Sequence, residues 1–361
     1  MADEPQQFET LHEIVKAARE RLDKNRWDYL MGATETESTL KRNRQAIDQL
    51  AFRPRVLRDV SKVDTSTILF GRKLTVPVLL APIGSLESFE AGGGATAARA
   101  AGRFGCALML SSVCNPGLEA VAEAGPDTAR IFQLYVRGDA AFEDDYVRRA
   151  VDKGYFAFAV TVDTAHYSRR ERDLANRFVK PWRQRATGMD WQAAYDWKRV
   201  ARFKDTHPDV KLILKGIGTG EDAAACVAHG VDGIYVSNHG GRQLDQGRGS
   251  MEVLEEVVAA VAGRATVIVD GGFYRGTDIA KAIALGADCV GIGRLTGLGM
   301  AAAGEDGLVR VLELLQEELT IALGLLGARN LGELVPSMVA KALPVVPPHV
   351  TSAFPLLAEG Y

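Results

Sequence analysis

Nine consecutive residues, Ser237-Asn238-His239-Gly240-Gly241-Arg242-Gln243-Leu244-Asp245, place an imidazole and a guanidinium three positions apart on a glycine-rich turn. An imidazole takes or gives a proton near neutral pH, and a guanidinium holds a carboxylate through two parallel hydrogen bonds. The glycines let the backbone come close to a bound ring. The chemistry this suggests is proton abstraction from a substrate that carries a carboxylate. The other five histidines, His12, His166, His207, His229 and His349, have no comparable setting.

Other reactive side chains recur at one kind of place. Gln133 and Tyr135, Asp163, Lys215, Asn238 and His239, Asp270, and Arg294 each fall at or just after the end of a short apolar, β-branched run. The runs are VLLAPI from Val78, ALMLSS from Ala107, IFQLYV from Ile131, AFAVTV from Ala157, KLILKG from Lys211, GIYVSN from Gly233, TVIVDG from Thr266 and CVGIGR from Cys289. Their starts lie 22 to 33 residues apart, save for one interval of 54. That is the period of a strand plus a crossover helix, and near-continuous apolarity marks strands buried on both faces. Eight units predict an α/β protein, a single (β/α)8 TIM barrel. A doubly wound open sheet shares the period but would string the reactive residues along an edge, whereas a barrel gathers them at one mouth.

Leu11, Ile14, Val15, Ala18 and Leu22 recur at helical spacing and predict a helix over residues 8–24. It belongs to an N-terminal helical cap of residues 1–60, leaving 61–361 for the barrel and a tail after Leu331. The long interval carries Arg169, Arg170 and Arg172 and a segment from Trp182 to Arg202 with three of the four tryptophans. It reads as a lid over the site or as a packing insertion.

Composition narrows the partners. The chain has 361 residues, 47% hydrophobic and 25% charged, an ordinary folded composition with room for a barrel. Lys plus Arg number 43 against 46 Asp plus Glu, a net charge of -3, so no global field recruits nucleic acid or an anionic membrane. No uncharged apolar stretch reaches the roughly 18 residues a bilayer span needs. Cys106, Cys114, Cys226 and Cys289 lack CxxC spacing, which predicts buried thiols, no metal site and a reducing compartment. The acidic start and the terminal AEGY match no secretory, ER-retention or peroxisomal address, so the expected location is cytoplasmic. Gly216-Ile217-Gly218-Thr219-Gly220 lacks the full spacing and acidic partner of a dinucleotide fingerprint.

The string SNHGGRQLD resembles the signature of the FMN-dependent L-2-hydroxy acid oxidases and dehydrogenases, the family of glycolate oxidase, lactate oxidase and mandelate dehydrogenase. The resemblance runs from about Tyr29 to Leu331 through FRPRVLRDVS, PVLLAPIG, FQLYV, TVDT, RRERDLANRF, LILKG, DGG and IGR, in the family's order. It implies bound FMN and oxidation of an L-2-hydroxy acid to the 2-oxo acid, with electrons passing to flavin N5 and then to oxygen, a quinone or a protein acceptor. Position by position, it implies His239 as the active-site base and Asp163 as the carboxylate that pairs with the imidazolium. Tyr29, Tyr135, Arg170 and Arg242 are implied to hold the substrate carboxylate. Lys215 is implied to place positive charge at the N1 and C2-carbonyl side of the flavin, and Pro82, Ile83, Gly84, Ser111, Gln133, Thr161 and Ser237 to contact its ring. Asp270, Gly271, Gly272, Gly293 and Arg294 are implied to form the phosphate site. A homotetramer or homo-octamer is the assembly the resemblance suggests.

Departures from the family pattern sharpen the expectations. Tyr274 stands where the family has arginine, leaving the phosphate charge to Arg275 or Arg294. Gly84 stands where many oxidases have alanine, as it does in mandelate dehydrogenase and lactate monooxygenase, so oxygen reactivity stays open. Val113 and Tyr167 replace a tryptophan and a leucine of glycolate oxidase, predicting a wider pocket with one aromatic wall. Two rival readings are a different FMN-barrel enzyme, an isomerase or a peptide- or nucleotide-modifying one, and a flavin-binding protein without turnover. The complete His239, Arg242, Arg170 and Tyr29 set argues against the first, and flavin that stays oxidised with every hydroxy acid would favour the second.

Overall fold

In the computed structural model, which describes residues 8–184 and 186–361, three helices come first: α1 (Leu11–Arg21), α2 (Lys24–Met31) and α3 (Ser38–Asp48). Thr10 and Glu13 form a capping box that starts α1, and Leu11, Ile14, Val15 and Ala18 are buried from its inner face. The helix expected over 8–24 ends at Arg21, because Asp23 leaves the helical path to accept a hydrogen bond from Arg26 N and cap α2.

Short strands β1 (Leu50–Phe52), β2 (Thr67–Leu69) and β3 (Arg72–Leu74) lead into eight parallel ones. These are β4 (Val78–Leu80), β5 (Ala107–Ser111), β6 (Ala129–Leu134), β7 (Ala157–Thr161), β8 (Leu212–Ile217), β9 (Gly233–Val236), β10 (Thr266–Asp270) and β11 (Cys289–Ile292). Each is one of the eight apolar runs. They pair in chain order and β11 returns to β4, closing the (β/α)8 barrel. Alternation explains their unbroken apolarity: Leu79, Met109, Ile131 and Ile213 fill the barrel interior, while Leu80, Leu108, Phe132 and Leu214 pack outward under the helices. Strand β12 (Val339–Lys341) of the tail pairs antiparallel with β1, tying the tail to the cap.

The surrounding helices are α4 (Gly93–Phe104), α5 (Leu118–Ala124), α6 (Ala140–Asp152), α7 (Glu171–Ala175), α8 (Pro181–Gln184), α9 (Met189–Ala193), α10 (Trp197–Thr206), α11 (Gly220–Ala228), α12 (Ser250–Val261), α13 (Gly276–Ala284) and α14 (Arg294–Leu326). Four of them, α7 to α10, fill the long interval, and they do not form one lid. Helix α10 buries Val200 and Phe203, and Phe203 packs on Phe158 of β7 at 5.7 Å between ring centroids. Its Arg199 and Arg202 pair with Glu143 and Asp144 of α6. Trp197 stacks on His229 at 4.9 Å, on the barrel flank. So the segment from Trp182 to Arg202 divides: Trp182 reaches the mouth, and α10 is an amphipathic crossover helix whose apolar face must cover β7. Among the described residues no helix is long and apolar enough to cross a membrane.

Candidate active site

The catalytic turn is built by its own sequence. After β9, Asn238 accepts from Gly241 N at 3.1 Å and is itself held by Asn43 of α3 at 2.8 Å. His239 is held at φ 59° with its amide donating to Ser237 Oγ at 3.0 Å. Positive φ at a non-glycine residue is costly and persists where the surroundings over-determine it. His239 Nδ1 lies 3.1 Å from Asp163 Oδ1, and Nε2 lies 3.3 Å from the Tyr135 hydroxyl. An ionised carboxylate only accepts, so the proton sits on Nδ1 and Nε2 keeps its lone pair toward the cavity. Burial lowers the pKa of His239 below the ordinary 6.5, with Asp163 pulling it back up, so the imidazole is neutral at pH 7. Burial pushes Asp163 the other way, but the charges of His239 and Lys215 win and hold it below the usual carboxylate value.

Asp163 reaches this position because β8 bulges at Gly216, where φ is +112° and a Cβ would stand 2.6 Å from the Asp163 Cβ. Gly216→Ala is expected to cost about 2–4 kcal/mol of stability and to displace Asp163. Thermal unfolding checks this; an unchanged midpoint would refute the tight approach.

A cavity open to solvent spans the C-terminal ends of the strands. Tyr29, Tyr135, Arg170, Lys215, His239 and Arg242 line it together. Arg242 donates Nη1 to the carbonyls of Tyr29 and Gly32, at 2.7 and 2.9 Å, and its guanidinium carbon lies 5.1 Å from the Tyr29 ring centroid. Burial, and then the charge of Arg170, lower its pKa to about 9. Arg170 is itself buried, its Nε directed to the Arg242 carbonyl at 3.4 Å. Two buried guanidiniums that make no direct ion pair with a carboxylate among the described residues can receive an anion. The Tyr29 hydroxyl, expected to serve that anion too, donates to the Gly84 carbonyl at 2.7 Å, and burial raises its pKa to about 12. It must rotate to donate to a carboxylate, whereas Tyr135 already faces the base.

Whether these residues fit a flavin is decided by their unpartnered atoms. Both side-chain polar atoms of Gln133, Thr161 Oγ1 and Asp270 Oδ1 are buried at the strand ends without a hydrogen-bond partner. Buried polar atoms are nearly always satisfied, and a flat ring edged with carbonyl and N–H groups supplies what is missing here. Lys215, 3% exposed, points its ammonium into the same space. It is less bare than the sequence suggests, since Nζ donates to Ser237 Oγ at 2.8 Å and lies 3.5 Å from Asp270 Oδ2. Gly271, Gly272 and Gly293 line the cavity with Arg294 at the start of α14, where backbone amides and a helix N-terminus suit a phosphate. Pro82, Ile83 and Gly84, just past β4, also line the cavity. The residues present fit FMN.

Several expectations need correcting. Arg275 cannot replace the phosphate charge lost at Tyr274: it turns onto α14, pairing with Glu318 at 2.5 Å. Arg294 stays on the wall, although its Nη2 is committed to the Gly32 and Gly240 carbonyls at 2.9 and 3.0 Å. Ser111 and Ser237 use their hydroxyl oxygens as acceptors, and each keeps its own O–H hydrogen for a further partner. Ser111 Oγ takes the Val113 amide at 3.4 Å, and Ser237 Oγ serves Lys215 and His239. Asp163 stands behind His239, where it meets the imidazole as expected, and also lines a cleft beside the turn.

The structure also adds residues the sequence reading passed over. Lys180, 3% exposed, pairs with buried Asp173, donates to the Tyr167 hydroxyl at 2.6 Å and lies 5.0 Å from the Tyr29 ring centroid. Burial, then the charges of Arg170 and Arg242, lower its pKa to about 7 against the pull of Asp173. Next to it, Trp182 donates its amide to Ser85 Oγ at 3.3 Å and seats its ring over Gly84. A lysine between the apolar Val179 and Pro181 was the available signal.

An eight-stranded barrel with a buried imidazole-carboxylate pair, two buried guanidiniums and unpartnered polar atoms around its mouth suits a flavin-dependent oxidoreductase. Comparison with known proteins agrees: residues 18–341 match the model of the FMN-dependent dehydrogenases, and the chain belongs to that family. It is 40% identical to glycolate oxidase 1 of Zea mays over 344 residues, covering 89% of this chain and 93% of that one. It is 38% identical to glycolate oxidase of Spinacia oleracea, with coverage of 91% and 95%. Among solved structures, mandelate oxidase with (S)-2-phenylpropionate superposes with a TM-score of 0.87 at 39% identity, covering 94% of this chain and all of that one. The chain is thus an FMN-dependent enzyme that oxidises 2-hydroxy acids.

Proposed function

We propose that the chain oxidises the L-enantiomer of a 2-hydroxy acid, with His239 as the base. The observation that carries this is the His239 imidazole, neutral and held in one tautomer by Asp163, facing a cavity that also holds Arg170 and Arg242. The two guanidiniums bind the carboxylate and so fix the rotation of the neighbouring carbon. His239 Nε2 takes one proton from the substrate, and Asp163 stabilises the imidazolium that results. Tyr135, 3.3 Å from Nε2, donates to the substrate oxygen or carboxylate. FMN, when bound, would supply the acceptor for the two electrons and the remaining hydrogen given up as the alcohol becomes a carbonyl. Lys215 supplies positive charge on the side where that site gains electrons. Relatives named for glycolate and structural neighbours named for mandelate support the substrate class.

Anaerobic titration with each enantiomer of lactate and of mandelate tests the reading. Bleaching of the oxidised flavin band by the L-enantiomers alone is expected, and readmitting air then reports whether oxygen is the acceptor. Bleaching by both hands would refute the stereochemical assignment. Arg242→Lys removes the fork that binds a carboxylate at two points and is expected to raise the Michaelis constant about 10- to 100-fold. Steady-state kinetics showing the parent value would remove Arg242 from the receptor.

A further inference from the structure

The phosphate, the flavin and the substrate carboxylate use Arg294, Lys215, Arg170 and Arg242. Two more cations lie against aromatic residues that line the cavity: Arg137, just past β6, and Arg183 in α8. The Arg137 guanidinium carbon lies 5.0 Å from the ring centroid of Trp182 and 5.9 Å from that of Tyr135, both cavity-lining residues. That of Arg183 lies 4.2 Å from the Tyr167 centroid and 6.0 Å from Trp182. Both arginines are half-buried.

What sets them apart is that, among the described residues, neither is paired with a carboxylate. Nearby arginines have theirs: Arg149 pairs with Glu119, Arg172 with Glu37 and Arg199 with Glu143. Lys180 has Asp173. Arg137 has no carboxylate among the groups that act on it. Burial lowers its pKa, Tyr135 opposes this, and the charge of Arg183 adds to the lowering. Two like charges held against aromatic faces and partly out of water are stabilised by an anion between them. Tyr135 also sets the span, since its hydroxyl meets the base at 3.3 Å while its ring meets Arg137.

We propose that the preferred substrate is a dicarboxylate, a 2-hydroxy acid whose short side chain ends in a second carboxylate received by Arg137 and Arg183, with Trp182 covering the linking methylenes. This rests on the reading of Arg170 and Arg242 as the receptor of the first carboxylate. It makes Arg137 and Arg183 specificity-determining residues.

The test compares a charged with a neutral ending at equal size. Holoenzyme is titrated at equilibrium with 2-oxoglutarate and with 2-oxoglutaramate, its terminal amide, and then reduced anaerobically with the corresponding L-2-hydroxy acids. The diacid is expected to bind about tenfold or more tightly than the amide, as a charge-assisted hydrogen-bonded pair provides. In Arg137→Gln/Arg183→Gln that ratio falls toward one, and in Arg183→Gln alone, a change on the outer helix, it falls part of the way. Equal binding of the two ligands, or a preference that survives the double substitution, overturns the proposal. Lactate or mandelate bleaching the flavin with no diacid preference sinks the second carboxylate site and leaves the oxidation reading standing. A diacid preference in binding without flavin reduction by any hydroxy acid supports the site and sinks the oxidation reading.

Discussion

Replacing His239 by glutamine lowers the rate of flavin reduction by roughly a thousandfold or more while leaving the flavin bound. The magnitude follows from losing the general base, which contributes about 10²–10⁴ on its own and more when it acts as one unit with its partner. Retained flavin follows from position: the His239 ring meets Asp163 and Tyr135, while the flavin contacts named above, Ser237 apart, lie on other strands. Glutamine is close in length and can still donate toward Asp163, so the loss reports the missing lone pair rather than a collapsed turn. Rapid-mixing absorbance with an L-2-hydroxy acid checks this; reduction at the parent rate would remove His239 from the chemistry.

Asp163→Asn is expected to slow reduction roughly 100- to 10,000-fold, because an amide neither selects the Nδ1 tautomer nor stabilises the imidazolium. Its pH dependence separates this role from simple disruption. In the parent, reduction needs neutral His239, so the rate is full at high pH and falls as pH drops through a pKa below 6.5. Asp163 is the group that raises that pKa against burial. Without it the pKa moves lower still, and the acid limb shifts to lower pH while the plateau drops. A plateau loss with an unmoved or raised limb would contradict the pairing.

The barrel was legible in the chain because its strands are buried on both faces: residues such as Leu79 and Leu80 point in opposite directions and are both at 0% exposure. The position of His239 was legible as well, since the glycine-rich SNHGG turn closes a strand and so falls at the barrel mouth. What the chain could not show is which donors are already committed. The Tyr29 hydroxyl turns to Gly84 and Arg275 to Glu318, partners distant in sequence, while Ser111 Oγ accepts from the Val113 amide, a backbone group that any residue but proline carries. The long interval was harder still. Both Trp182 and Trp197 are aromatic residues in charged surroundings, and only the packing of Phe203 on Phe158 shows that α10 belongs to the flank. Lys180 was hidden because a lone lysine reads as solvated until the structure surrounds it with Tyr29, Tyr167 and Asp173.

The central claim is that a 2-hydroxy acid gives up the hydrogen on its second carbon beside His239 in a flavin-linked step. The most direct measurement is the anaerobic rate of flavin bleaching with an L-2-hydroxy acid carrying hydrogen or deuterium on that carbon, followed across pH. The account predicts bleaching that is slower with deuterium and that declines as pH falls below 6.5. A flavin that stays oxidised, or bleaching indifferent to both deuterium and pH, would contradict it.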